Sequence, residues 1–262
     1  MNIALNGKRA LVCGSTQGIG LASAIQLADL GAEVTLGARD PDSLRIRRDE
    51  LPAGGEQAHG VLAADWNDPD DLGRKVRGDI EERGPFHILV NNTGGPPPGP
   101  VFEAGPEAFR TAFTRHLICN QILVQAVVPG MKEKAYGRII NIISTSVRQP
   151  IPNLGVSNTT RGAVAGWAKT LSNELASFGI TVNNVLPGFT LTERLKSLLR
   201  TMAENAGVSE EEMHRRMKAT VPAGRFAEPA EVAAMVGFLA TPAAAYVTGV
   251  SVPVDGGKIA AI

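Results

Sequence analysis

Arg9-Ala-Leu-Val-Cys13-Gly-Ser-Thr-Gln-Gly-Ile-Gly20 carries a short apolar run straight into three spaced glycines. The run reads as a buried strand. From Ile19 to Leu30 the apolar residues recur at helical spacing, and Gly31 stops them as a C-cap does. The glycines therefore sit at a strand-to-helix turn. Gly14 permits the tight turn, Gly18 lets a ligand approach the backbone, and Gly20 allows the helix to pack closely. Unpaired amides at the start of such a helix attract a pyrophosphate. The other reading of the same glycines is a turn with no ligand.

Working outward, the alternation continues. Glu33-Val-Thr-Leu-Gly37, Gly60-Val-Leu-Ala63, His87-Ile-Leu-Val-Asn91, Arg138-Ile-Ile-Asn-Ile-Ile143, Ile180-Thr-Val-Asn-Asn-Val-Leu186 and Gly249-Val-Ser-Val-Pro-Val254 read as six further strands. Between them lie a charged helix after Pro41, a helix opened by the capping stretch Asn67-Asp-Pro-Asp70, a long helix Pro106 to Lys134 and another from about Asn158 to Ser177. Strands apolar on both faces and separated by helices require a parallel sheet covered on both sides. The expectation is an α/β fold: one doubly wound domain over residues 1–262, with a parallel seven-stranded sheet of Rossmann type and helices on both faces.

Composition fits that fold and excludes others. Residues are 44% hydrophobic and 20% charged, and 26 Lys plus Arg balance 26 Asp plus Glu, which speaks against a nucleic-acid surface or a polybasic membrane patch. Cys13 and Cys119 are too few for a disulfide framework. With no signal pattern at the start and no apolar run of membrane-spanning length, a cytoplasmic location is expected. His59, His87, His116 and His214 are scattered, so no metal site is expected. Gly155-Val-Ser-Asn-Thr159 lacks the last glycine and the preceding strand of a hydrolase elbow.

An acid at the end of the second strand would accept ribose hydroxyls; this chain has Arg39. Its fork suits a 2′-phosphate, so NADP(H) is expected over NAD(H), with a solvated loop charge as the other reading. Two irregular regions border the expected site. Gly94-Gly-Pro-Pro-Pro-Gly-Pro100 follows the fourth strand. The amphipathic stretch Thr192 to Thr220 reads as a lid over a substrate or as a solvated helix pair.

Taken together the motifs resemble the short-chain dehydrogenase/reductase family, in pattern near the 3-oxoacyl-acyl-carrier-protein reductases. Gly14-x3-Gly18-x-Gly20 resembles the phosphate loop, Asp65 the adenine-side acid, and Asn91-Asn-Thr-Gly94 the element after strand four. Pro187-Gly-Phe-Thr-Leu-Thr192 is similar to the nicotinamide-side turn, and Pro222-Ala-Gly-Arg-Phe226 and Val254-Asp-Gly-Gly257 to the C-terminal signatures. The resemblance implies that Gly14, Ser15, Thr16, Gln17, Gly18, Ile19, Gly20, Arg39, Asp65, Asn91, Gly94, Arg161, Pro187, Gly188, Thr190 and Thr192 hold the cofactor. It implies an oxidoreductase moving hydride between nicotinamide and a small carbonyl or alcohol substrate, an acyl thioester among them. It also implies a homotetramer or homodimer through the two long helices. On the second of them Gly162, Ala163, Ala165 and Gly166 suit close packing against a partner helix or against the sheet.

The family's proton chemistry uses asparagine, serine, tyrosine and lysine. Ser144 matches the serine, but Ser157 stands where the tyrosine belongs, Arg161 where the lysine belongs, and His116 where the asparagine belongs. Ser144, Ser157, Arg161 and His116 are thus the candidate catalytic set, a degenerate one. A serine hydroxyl is a far weaker acid than an activated phenol, and an arginine does not shuttle protons readily. Weak or atypical hydride transfer is the first expectation, and a non-catalytic nucleotide-binding sensor or scaffold the second.

Overall fold

The computed structural model describes residues 1–54 and 57–261. All seven strands lie in one parallel sheet: β1 Arg9–Cys13, β2 Glu33–Ala38, β3 Gly60–Ala63, β4 Ile88–Asn91, β5 Gly137–Ile142, β6 Ile180–Pro187 and β7 Ser251–Val254, in the order β3-β2-β1-β4-β5-β6-β7. The doubly wound expectation holds. The last strand begins two residues later than its sequence reading, at Ser251 instead of Gly249, whose φ of +71° is left-handed.

Both faces are covered because the strands are apolar on both. Along β1, Ala10 and Val12 enter the core that holds Ala24 and Leu27 of α1 (Gly18–Asp29), Leu44 of α2 (Pro41–Asp49) and Val232 and Val236 of a helix near the C-terminus. Leu11 and Cys13 enter the opposite core with Leu72 and Val76 of α3 (Pro69–Arg83). The expected long helix is a rod of three parts: α4 (Pro106–Phe113), a π-helical turn (Thr114–Ile118) and α5 (Cys119–Glu133). The turn adds a residue without breaking the apolar pattern, so spacing alone does not reveal it. It swings His116 inward, 3% exposed. Next come α6 (Gly155–Leu175), α7 (Glu193–Ala206), α8 (Glu210–Ala219) and α9 (Pro229–Ala240). Sequence spacing missed α9, which is apolar nearly all round. Its signal was the capping box of Glu228 and Glu231, with a proline in the first turn.

The Thr192–Thr220 stretch forms two helices, α7 and α8, with a small core of their own: Leu195, Leu199, Ala203, Met213 and Phe226. On α6, Gly162 and Gly166 are exposed, and a Cβ on either would meet nothing within 4 Å. Cys13 and Cys119 are buried and unbonded. Among the described residues no helix is long and apolar enough to cross a membrane.

A ladder of side-chain amides crosses the middle of the sheet. Asn91, Asn141, Asn184 and Ser251 are in register on β4, β5, β6 and β7. Asn91 Nδ2 donates to Asn141 Oδ1 at 2.8 Å, Asn141 Nδ2 to Asn184 Oδ1 at 3.0 Å, and Asn184 Nδ2 to Ser251 Oγ at 3.0 Å. Buried polar atoms are costly when left unbonded. Asn141→Ala would orphan a group on each neighbour, each costing about 1–3 kcal/mol. The thermal midpoint is expected to drop by roughly 5–10 °C, measured by calorimetry; an unchanged midpoint would show that the ladder is idle.

Candidate functional site

The strand order reverses between β1 and β4, and there a cleft of about 970 Å³ opens at the carboxyl ends of the strands. Its outer floor is the turn between β1 and α1. Gly14 and Gly18 have φ of +59° and +56°, which only glycine adopts freely. A Cβ on Gly20 would lie 2.1 Å from the Gly14 carbonyl, so any side chain there would push the turn apart. Asn92 Nδ2 donates to that same carbonyl at 3.1 Å and ties the turn to the end of β4. Gln17, the residue before α1, makes no side-chain cap. The first amides of the helix are therefore left for a ligand.

Fifteen of the residues expected from sequence line this one cleft: Gly14, Thr16, Gln17, Gly18, Ile19, Arg39, Asp65, Gly94, Ser144, Ser157, Arg161, Pro187, Gly188, Thr190 and Thr192. Ser15, Gly20, Asn91 and His116 are buried beneath it. Ser15 donates to the Gly37 carbonyl, and Asn91 is spent on the amide ladder. Asn92, Thr93, Arg115, Arg194 and Lys258 line the cleft without having been expected. For Asn92 the signal was present, since it alternates with Asn91 at the strand end; for Arg194 no sequence signal marks it.

At the adenine end Asp65 accepts from the Asn67 amide at 3.0 Å, which, with the Asn67 side chain and the Arg39 and Arg115 charges, holds its carboxyl below the usual range. Arg39 is exposed and makes no ion pair among the described residues. Thr192 caps α7, its Oγ1 accepting from the Leu195 amide at 3.3 Å. Its methyl group would lie 3.2 Å from a Cβ on Gly18, so the start of α7 stands over the glycine turn.

At the inner end, Ser144 Oγ accepts from the Ser146 amide at 3.1 Å and donates to nothing among the described residues. Ser157, in the first turn of α6, is 9% exposed. Arg161, one helical turn on, donates from Nη1 to the Ile142 carbonyl at 2.9 Å and from Nη2 to the Thr93 carbonyl at 3.4 Å. It has no carboxylate partner among the described residues, and burial, then Arg194, pull its pKa down to about 10. Neither tyrosine of the chain lines the cleft: Tyr136 donates to the Ala240 carbonyl, and Tyr246 is fully exposed.

A family model described as enoyl-(acyl carrier protein) reductase matches residues 14–258. The chain is 37% identical over 253 residues to a putative ketoacyl reductase of Streptomyces coelicolor, covering 95% of each. The chain belongs to the short-chain dehydrogenase/reductase family. It is 35% identical over 255 residues to a 3-oxoacyl-[acyl-carrier-protein] reductase of Vibrio cholerae, covering 97% of this chain and 98% of the relative. The L-sorbose reductase of Gluconobacter frateurii, solved with NADPH and L-sorbose, superposes with a TM-score of 0.92 at 29% identity over the full length of both chains.

His116 of this reductase-family chain has an orphaned Nε2. Burial first, then the nearby Arg161 charge, bring the imidazole down to about 2; the Gly94 carbonyl opposes, and Arg194 and Arg115 add to the depression. The ring is therefore neutral at physiological pH. Below about pH 6.5 the unfolded chain takes up a proton here that the folded chain refuses, so stability falls on acidification, by about 1.4 kcal/mol per pH unit down to about pH 2. His116→Asn is expected to flatten the dependence by that slope. Urea midpoints of both proteins at pH 7 and pH 5 measure it, and parallel losses would count against the buried, neutral ring.

Proposed function

We propose that the chain is an NADP(H)-dependent oxidoreductase that moves hydride between the nicotinamide and a carbonyl or alcohol carbon, with an altered proton-handling set. The observation that carries this reading is one cleft that joins uncapped amides of α1 at its outer end to Ser144, Ser157 and Arg161 at its inner end. The glycine turn leaves backbone room for a pyrophosphate, and Arg39 stands where a 2′-phosphate would be held by paired donors. The reductase names of the relatives support the same class.

When bound, the nicotinamide supplies or accepts the hydride. The chain's own groups do the rest. Pro187, Gly188 and Thr190 border the nicotinamide end, with Gly188 so close to Asp255 that a Cβ there would lie 2.7 Å from its Cα. Ser144 has a free hydroxyl proton to donate to the substrate oxygen, and Ser157 adds a second hydroxyl at the cleft wall. Arg161 is a fixed positive charge beside them that favours negative charge on that oxygen. Its remaining donors also suit the ribose hydroxyls. The proton itself comes from water, passed through these hydroxyls. Without a phenol of lowered pKa, the step forfeits the 10²–10⁴-fold that a placed general acid typically contributes.

A second reading, a nucleotide-binding sensor or scaffold without turnover, is favoured by Ser157 and Arg161 themselves. NADPH oxidation with a panel of ketones and oxo compounds separates the two. Slow oxidation is expected, rising by about 10²–10⁴-fold in the Ser157→Tyr, Arg161→Lys double variant. Tight NADPH binding with no oxidation by either protein would leave the sensor. In the same assay NADPH is expected to bind about 10- to 100-fold more tightly than NADH, with Arg39→Ala removing the preference. A preference that survives Arg39→Ala would return Arg39 to the status of a solvated charge.

A further inference from the structure

Arg194, at the second position of α7, reaches across the cleft. Its Nη1 donates to the Gly95 carbonyl at 2.9 Å and its Nη2 to the Pro96 carbonyl at 3.1 Å. Arg161 lies just behind. A Cβ on Gly95 would be 2.9 Å from Arg194 Nη2 and 3.6 Å from Arg161 Nη2, so both guanidinium groups border one point at the inner end of the cleft. Glycine leaves that point open.

Among the described residues no carboxylate pairs with either arginine, and the adjacent Glu193 is joined to Lys196 at 2.7 Å. The backbone carbonyls satisfy some donors of each fork but cancel no charge. Two like charges held together, one of them 8% exposed, are costly unless an anion arrives between them. Arg161 is held below the ordinary guanidinium range by burial and then by Arg194. Apolar side chains line the same cleft, Ile151, Leu154 and Leu198 among them.

We propose that Arg194 and Arg161 form a carboxylate clamp, and that the substrate is a small oxo acid with an apolar body whose carboxylate lies close to the reacting carbonyl. The identity of that carbonyl as the reacting group rests on the oxidoreductase reading; the clamp does not. In reduction, hydride from NADPH forms a C–H bond at the oxo carbon as the C=O π bond breaks. The oxygen takes a proton from water, NADP⁺ is left, and the carboxylate emerges unchanged in the forks. Planar guanidinium donors match a carboxylate in paired fashion, and the aliphatic walls cover the remainder of a small acid.

The test is calorimetric titration of the NADP⁺-saturated protein, a complex that cannot turn an oxo acid over. The probes are 4-methyl-2-oxopentanoate, its methyl ester and a phosphate monoester of similar apolar body. The acid is expected to bind about 10- to 100-fold more tightly than the ester. Arg194→Met should bring acid and ester level, and Arg194→Lys should restore part of the difference. Arg194 is exposed, so its replacement leaves the core intact, which circular dichroism verifies. Equal binding of acid and ester, a preference that survives in Arg194→Met, tighter binding of the phosphate monoester, or no binding of any probe would each overturn the clamp. If NADP⁺ itself does not bind, the oxidoreductase reading fails, and the same titrations on the nucleotide-free protein still decide the clamp by the same outcomes.

Discussion

The last carbonyl groups of a parallel sheet have no further strand residue to bond, and satisfying them sets the shape of this cleft. Arg161 serves the carbonyls of Ile142, at the end of β5, and of Thr93, just beyond β4. Asn92 serves the carbonyl of Gly14, just beyond β1. Arg194 serves those of Gly95 and Pro96. Long polar side chains are thereby drawn to the carboxyl edge and held in fixed places, while the faces of the sheet stay apolar. Each of these side chains also lines the cleft. Structural duty and a functional constellation thus arise from one requirement, that buried backbone oxygens be bonded.

The two edges of the sheet handle positive charge in opposite ways. At the amino edge Arg9 is bonded to Glu33 at 3.1 Å and Asp79 at 2.6 Å, and Arg83 joins Glu33 at 2.7 Å. That cluster is neutralised internally and asks for nothing. At the carboxyl edge Arg39, Arg161 and Arg194 have no such partners among the described residues. A chain whose total charge is zero therefore presents a locally positive cleft, the arrangement a phosphate-rich nucleotide and an acidic substrate both need. Composition conceals this, because net charge sums over edges with opposite policies.

What the sequence made legible follows from the same physics. Strands buried on both faces write themselves as continuous apolar runs, so all seven were readable to within about two residues, and the glycine turn was readable because positive φ demands glycine. Features that leave no periodic trace were not. The π turn at Thr114–Ile118 keeps the apolar pattern on both sides of it, and the solvent-facing side of α9 carries Ala230, Ala234 and Phe238 beside Glu231, so no polar face marks the helix. The neighbours Asn91 and Asn92 are chemically identical, and only strand alternation separates the ladder from the cleft: one amide goes to Asn141, the next to Gly14. Arg194 was invisible for another reason. Its role depends on where α7 begins relative to a loop about a hundred residues earlier in the chain, as its bond to Gly95 records.

That starting point is itself tied down twice. Thr192 caps α7 and places its methyl against the space above Gly18, while Arg194 crosses to the loop after β4. Beyond the first turn, α7 and α8 rest on their own small core around Leu199 and Phe226. A ligand held in the inner cleft and one held on the glycine turn would therefore both meet the same few residues of α7. Loss of the bonds from Arg194 to the loop would free the first turn of the helix without disturbing the core that holds its remainder. The helix pair is internally stable, and α7 meets the cleft through Thr192 to Leu195 and, one turn on, Leu198.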